Sequence, residues 1–207
     1  MLEHLRLLSS FPPDVQKPVP AAFLRDVAWW GKFMDTYNGV SIISQARWSD
    51  PDVIFTTDAC LTGCGGHTHN SFFHSRFPAF IAGLNLHINA LELLTVDVEL
   101  RLWGSQLHGL KVCIFCDKET SVCVLNSGRT HDPFLVACLW EMAFLAAHHE
   151  FKLRSQHLST TDNRIADLLS RWDKNKSCEN EFFAASGLLP ENEVVVPEEY
   201  FKFINNW

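Results

Sequence analysis

Four carboxylates in this chain sit where a simple solvated surface role fits them poorly: Asp58, Glu92, Asp117 and Asp167. Asp58 closes the β-branched and aromatic run 53–57, and Asp117 closes a second apolar run, 111–116. Glu92 lies in the first turn of an apolar helix, and Asp167 lies on a late helix. A carboxylate in apolar surroundings needs a partner. Several gathered at one point need cations, because two of them about 5 Å apart repel by roughly 3 kcal/mol at an effective dielectric of about 20. If the four converge, they form a site for divalent metal. Each also has a plainer explanation when taken alone. Asp117 can cap the next helix, Glu92 can face a helix N-terminus, and Asp167 can share a solvated face with Asn163 and Arg171 at steps of four.

The elements that must position these groups read as follows. The two apolar runs suit central strands, and a parallel pair is apolar on both faces. The glycines of Ala59-Cys60-Leu61-Thr62-Gly63-Cys64-Gly65-Gly66 predict a turn or bulge beside a second strand. Three strands are expected first, with residues 71–77 in the second or third. A helix runs from Asn89, as its cap, to a stop at Gly104. Its apolar residues cover most of its circumference, which predicts burial. Glu92, Thr95 and Glu99 form one narrow polar stripe, and Asp97 with Arg101 forms a second that is expected to face water. After the Asp117 strand come a short helix to Asn126, a long helix over Pro133–His148, a strand over 150–156, and a helix from Asp162 carrying Asp167. The crossover from the Asp58 strand to the Asp117 strand reads as a right-handed parallel unit. A charge at the end of such a strand lies at the sheet edge where α/β proteins keep their sites.

The spacing around Asp167 adds a resemblance. His157 precedes Asn163 by six residues and Asp167 by ten, in a stretch that ends Asp167-Leu168-Leu169-Ser170-Arg171. This resembles the end of a retroelement ribonuclease H domain. The segments Thr57–Gly65, Ile88–Leu93 and Cys116–Val122 resemble that family's first strand and turn, first helix, and fourth strand with second helix, in the family's order. The run Asn126-Ser127-Gly128-Arg129-Thr130 and the lead-in Asp26-Val27-Ala28-Trp29-Trp30 are most similar to DIRS-like, tyrosine-recombinase retrotransposon polyproteins. The resemblance implies a ribonuclease H-like α/β fold, with a five-stranded mixed sheet flanked by helices. It implies two Mg²⁺ ions, with Mn²⁺ as a substitute, held by Asp58, Glu92, Asp117 and Asp167. It further implies that His157 assists proton transfer or product release, that Asn163 positions the loop or substrate, and that Arg129 and Arg164 contact substrate. The substrate would be the RNA strand of an RNA–DNA hybrid, and the partner the polymerase part of a reverse transcriptase. Four positions depart from the family's pattern: Lys118 stands where Asn is usual, Thr160 where Gly is usual, and Cys60 and Cys64 where Ser and Trp are usual. Lys118 puts a cation beside a metal site and is expected to weaken metal binding.

Composition narrows the surroundings. At 207 residues the chain can hold one sizeable core with flanking segments. A hydrophobic content of 47% with 20% charged residues is globular. No stretch is long and apolar enough to span a bilayer, and residues 1–10 lack a secretory pattern. Seven cysteines without a framework spacing predict reduced thiols, in a cytoplasmic or nuclear setting. The pair Cys113 and Cys116 points to opposite faces of a strand and cannot share a metal. Cys60, Cys64, His67 and His69 are a zinc-capable set, outweighed by a reading as buried thiols and hairpin histidines. The formal charge of −7 predicts weak stand-alone nucleic-acid binding, with Arg129, Lys152, Arg154, Arg164 and Arg171 as local phosphate contacts.

Three segments are expected. Residues 1–50 form a connection from the polymerase side, with Trp29, Trp30 and Phe33 as an aromatic cluster that must pack on something. Residues 51–173 form the nuclease-like unit, and residues 174–207 form an acidic tail whose aromatic end is expected to dock back. No adjacent Asp-Asp pair occurs, so the polymerase's own hallmark is missing. Two functions therefore stand at this point: a metal-dependent nuclease, and a catalytically silent or host-adopted binding or scaffold module of the same fold.

Overall fold

The computed structural model describes residues 12, 16–37 and 50–203. Helix α1 (Ala21–Thr36) comes first. Strands β1 (Val53–Ala59), β2 (Gly63–His67) and β3 (Phe72–Arg76) follow as an antiparallel meander. A short helix α2 (Ala79–Ala82) leads into α3 (Ile88–Trp103), and the chain re-enters the sheet as β4 (Lys111–Cys116). Helices α4 (Glu119–Ser127) and α5 (Pro133–His148) precede β5 (Lys152–His157). Helices α6 (Arg164–Ser170) and α7 (Lys176–Ser186) complete the set, with short 3₁₀ turns beyond them. The sheet order is β3-β2-β1-β4-β5, with β4 parallel to β1 and β5 parallel to β4. This is the five-stranded mixed sheet flanked by helices that the resemblance implies.

The glycines of β2 explain how helices approach both faces so closely. A Cβ on Gly65 would lie 2.3 Å from the Leu169 Cβ of α6, and one on Gly66 would lie 2.7 Å from a Glu99 carboxylate oxygen of α3. Successive residues of a strand face opposite sides. Helix α6 therefore rests on one face and α3 on the other, each in room left by a missing side chain. The larger core lies on the α3 side, where Phe55, Ile114, Leu93, Leu100, Trp103 and Met142 are buried. A smaller core lies under α6 and α7, built on Phe72, Leu169 and Phe182.

Helix α3 is buried nearly all round, as its composition predicts. One expectation about it is corrected. Asp97 and Arg101 do not face water: Asp97 is fully buried, and Arg101 pairs with Asp97 at 3.0 Å and with the buried Glu141 of α5 at 3.3 Å. The reason is that α5 and the end of the chain cover this stripe. The Arg101 guanidinium also donates to the Lys202 carbonyl, and Phe201 is buried against Phe77. Residues 174–203 thus pack on the sheet and on helices α3 and α6. Cys178, Phe182 and Leu188 join the smaller core, and the Val194 N–H bonds to the Phe72 carbonyl at the sheet edge. Of the N-terminal aromatics, Trp29 and Phe33 pack on Trp140, Ala143 and Ala147 of α5, whereas Trp30 remains exposed.

Candidate metal centre

Three of the four carboxylates converge. One ligand atom each from Asp58, Glu92 and Asp117 lies within 4.8 Å of the others. Each arrives by a different route. Asp58 is the penultimate residue of β1, opposite Gly65, so its side chain stands on the α6 side. Glu92 reaches the same strand ends from α3, whose N-terminus is capped by His87, the Nδ1 of which accepts from the Asn89 N–H. Asp117 follows β4 directly, and the parallel β1–β4 pairing brings the two strand ends side by side.

Burial and crowding set the electrostatics. Glu92 is 1% exposed; burial first, then the charges of Asp58 and Asp117, push its carboxyl up to about 9, against Lys118 and the Ala59 N–H. Burial likewise lifts Asp58 to about 7, opposed by a hydrogen bond from Ser170 Oγ to its Oδ2 and by Lys118, and aided by Asp117 and Asp167. Glu92 Oε2 is buried with no hydrogen-bond partner. A buried carboxyl group that keeps one oxygen unpartnered and clusters with two other carboxylates fits a hard cation with oxygen ligands.

The cation already present is Lys118. Its ammonium lies 2.9 and 3.0 Å from the two oxygens of Asp117. Burial works against its charge, but the hydrogen bonds to Asp117 and the charges of Asp117, Glu92 and Asp58 outweigh it and hold the ammonium above its usual range. Thr160 Oγ donates to Asp117 Oδ2 at 3.1 Å. Two of the four departures, Lys118 and Thr160, therefore touch the same carboxylate.

The remaining expected residues fall at varying distances from the cluster. Asp167 is near enough to raise Asp58 but lies outside the cluster, and its Oδ1 is taken by Arg171 Nε at 2.7 Å. His157 is the last residue of β5, because the β4–β5 pairing runs on to Cys116 and His157. Its Nε2 lies 3.2 Å from the Asp117 carbonyl oxygen, beside the cluster. Asn163 is not on the solvated face with Asp167. It is 1% exposed, and its amide donates to the Thr57 carbonyl at 3.0 Å, pinning the start of α6 to β1. Arg129 is exposed, and Arg164 pairs at the surface with Glu181. Among the described residues, the Cys60, Cys64, His67 and His69 set makes no metal group, and all seven cysteines are free thiols.

Ser170 was missed as a site residue. It comes from the turn of α6 pressed onto Gly65, and Cys60 also donates its thiol to the Ser170 carbonyl at 3.1 Å. Its signal was faint: it follows the buried Ala166 by one turn, on the sheet-facing side of the helix.

No family model matches the chain, and no curated protein matches it. Among solved structures, RNase H1 from the halophilic archaeon Halobacterium salinarum NRC-1 is 14% identical, with a TM-score of 0.44, over 56% of this chain and 92% of that one. LC11-RNase H1 in complex with an RNA/DNA hybrid is 18% identical, TM-score 0.44, over 57% and 93%. The LC11-RNase H1 isolated from compost is 16% identical, TM-score 0.40, over 62% and 99%. The five-stranded mixed sheet flanked by helices is observed in this chain itself, and the chemistry of the site rests on its own residues.

Proposed function

We propose that this protein is a metal-dependent endonuclease that hydrolyses the RNA strand of RNA–DNA hybrids, as part of, or derived from, a DIRS-like retrotransposon reverse transcriptase. The observation that carries this reading is the meeting of Asp58, Glu92 and Asp117, from three separate elements, around an unpartnered Glu92 oxygen. Three carboxyl groups gathered in a buried pocket resist ionising together without a divalent cation, which is why Glu92 and Asp58 are held toward their protonated forms. They are hard to explain as scaffold.

Asp58, Glu92 and Asp117 would hold the divalent ion, Mg²⁺ or Mn²⁺, with Asp167 nearby to serve a second. Such an ion supplies Lewis acidity toward a phosphodiester and an acidified water. The chain's own residues do the rest. Ser170 fixes the Asp58 rotamer through its hydroxyl. His157, exposed beside Asp117, donates its Nε2–H to the Asp117 carbonyl, which leaves Nδ1 as the ring nitrogen to take up or deliver a proton. Asn163 keeps α6 against β1 and so sets where Asp167 and Ser170 stand. Arg129 and Arg164 offer exposed guanidinium groups for phosphates. Recognition of the RNA strand would use its 2′-hydroxyls across the minor groove. The retrotransposon setting is supported by the His157–Asn163–Asp167 spacing and the Asn126–Thr130 run.

A second reading has one observation in its favour. The Lys118 contact fills Asp117 with a protein cation, as a catalytically silent binding module would allow. Cleavage of a labelled hybrid with Mg²⁺ separates the two. Asp58→Asn should abolish it, and His157→Ala should slow it while metal binding persists. A parent that neither cleaves nor gains stability with Mg²⁺ or Mn²⁺ fits the silent module.

A further inference from the structure

Asp117 differs from its two neighbours in how fully it is already occupied. An ionised carboxylate offers about four lone-pair positions. Lys118 takes one on each oxygen, at 2.9 and 3.0 Å, and Thr160 takes another on Oδ2 at 3.1 Å. Glu92 Oε2, by contrast, has no partner. The side chain of Asp117 is 5% exposed, so water is a poor substitute for these donors. The side chain of Lys118 is 36% exposed, and its long stem can carry the ammonium out to solvent.

The backbone does not call for this lysine. Residue 118 is the extended residue before α4, and its side chain makes no cap hydrogen bond. What Lys118 does is electrostatic: one unit of positive charge is held against three carboxylates.

We propose that Lys118 is a built-in counter-cation that competes with the divalent ion for Asp117, so that the site fills only when its ammonium swings away. The inference rests on the reading of the carboxylate cluster as a metal site. Lys118 then sets the metal concentration at which the protein loads. In the metal-free protein it also balances the charge of Asp117 beside the buried Asp58 and Glu92. The same contact that weakens metal binding therefore stabilises the empty fold.

The test is direct Mn²⁺ titration of the intact chain, followed by calorimetry and by loss of the free-Mn²⁺ resonance signal, without nucleic acid. The proteins are the parent, Lys118→Met, Lys118→Gln, Lys118→Arg and Asp58→Asn. Circular dichroism verifies folding, and the two neutral variants back each other up. The expected result is Mn²⁺ binding at least about tenfold tighter in the neutral variants, equivalent to about 1.4 kcal/mol. Lys118→Arg should stay at or below the parent's affinity. Without metal the neutral variants should melt below the parent, and saturating Mn²⁺ should raise their melting temperature more than the parent's. Equal affinities in the parent and the neutral variants would overturn the role of Lys118 while leaving the metal site standing. Lys118→Arg binding as tightly as Lys118→Met would overturn it too, because charge would not be the cause. Binding no better than Asp58→Asn in every protein would overturn both this inference and the nuclease reading.

Discussion

Replacing Glu92 with Gln should remove a large pH dependence from the stability of the metal-free protein. Glu92 is held in the fold as the protonated acid, raised by burial and by Asp58 and Asp117 to about 9 from an ordinary 4.5. Below pH 4.5 both folded and unfolded states carry the proton, and its stabilising contribution is complete. As pH rises toward 9 the unfolded chain releases the proton and the folded chain keeps it, so stability falls. The slope is about 1.4 kcal/mol per pH unit for one group. From pH 6 to pH 8 this amounts to about 3 kcal/mol. Glu92 is 1% exposed, so solvent screening takes little from it. For a chain of this size the loss corresponds to about 6 to 12 °C in melting temperature. Glutamine has nearly the same shape and no proton to lose. The assay is thermal unfolding of parent and Glu92→Gln in chelator at pH 6, 7 and 8. Asp97 and Glu99 titrate in both proteins and drop out of the difference. Asp58 does so as well, because its neighbour at 92 is neutral in both over this range. The variant should gain on the parent as pH rises, by about 6 to 12 °C over the two units. A parent–variant gap that is the same at pH 6 and pH 8 would refute the reasoning. Adding Mg²⁺ should reverse the trend in the parent, since ligand carboxylates bind metal only when ionised.

Gly65→Ala should destabilise by about 1 to 3 kcal/mol or more, because its Cβ would meet Leu169 at 2.3 Å and push α6 off the sheet; metal affinity should fall with it, as Ser170 leaves Asp58. Gly31→Ala, in open space on α1, should instead stabilise by about 0.5 to 1 kcal/mol, and chemical denaturation compares the two. Arg101→Met strands Asp97 and Glu141 in the core and should cost about 3 to 5 kcal/mol at pH 8. Burial, opposed by Arg101 and aided by Glu141, already raises Asp97 to about 7, so the loss should shrink by pH 5 as that acid takes up a proton. Hybrid affinity should fall roughly 40-fold between 50 and 200 mM salt if Arg129, Lys152 and Arg164 make three phosphate contacts; filter binding across that range reads the slope.

The sheet and three of the four carboxylates could be read in advance because each signal was local. Asp58 and Asp117 end apolar runs, and Glu92 sits on a helix too apolar to be exposed. What stayed hidden depended on distant chain. Asp97 and Arg101 resemble a wet stripe until Glu141 of α5 and the Lys202 carbonyl cover them. Asn163 shares a step of four with Asp167, yet its place before the first turn of α6 turns it inward to Thr57. Ser170 becomes a site residue only because Gly63 and Gly65, on one face of β2, let α6 settle close to the sheet. Lys118 was legible as a charge near the site; that it grips both oxygens of Asp117 was not.

The central claim is that Asp58, Glu92 and Asp117 form a metal centre that cuts RNA in a hybrid. Its most direct test is a time course with an end-labelled RNA strand, paired to DNA or to RNA, and with the labelled DNA strand of the hybrid as a control. With Mg²⁺ or Mn²⁺ the parent should cut only the RNA of the hybrid, leaving 3′-hydroxyl and 5′-phosphate ends, and chelator or Asp58→Asn should abolish cutting. Cleavage that persists in Asp58→Asn, or no cleavage by the parent at any metal concentration that saturates the site, would contradict it.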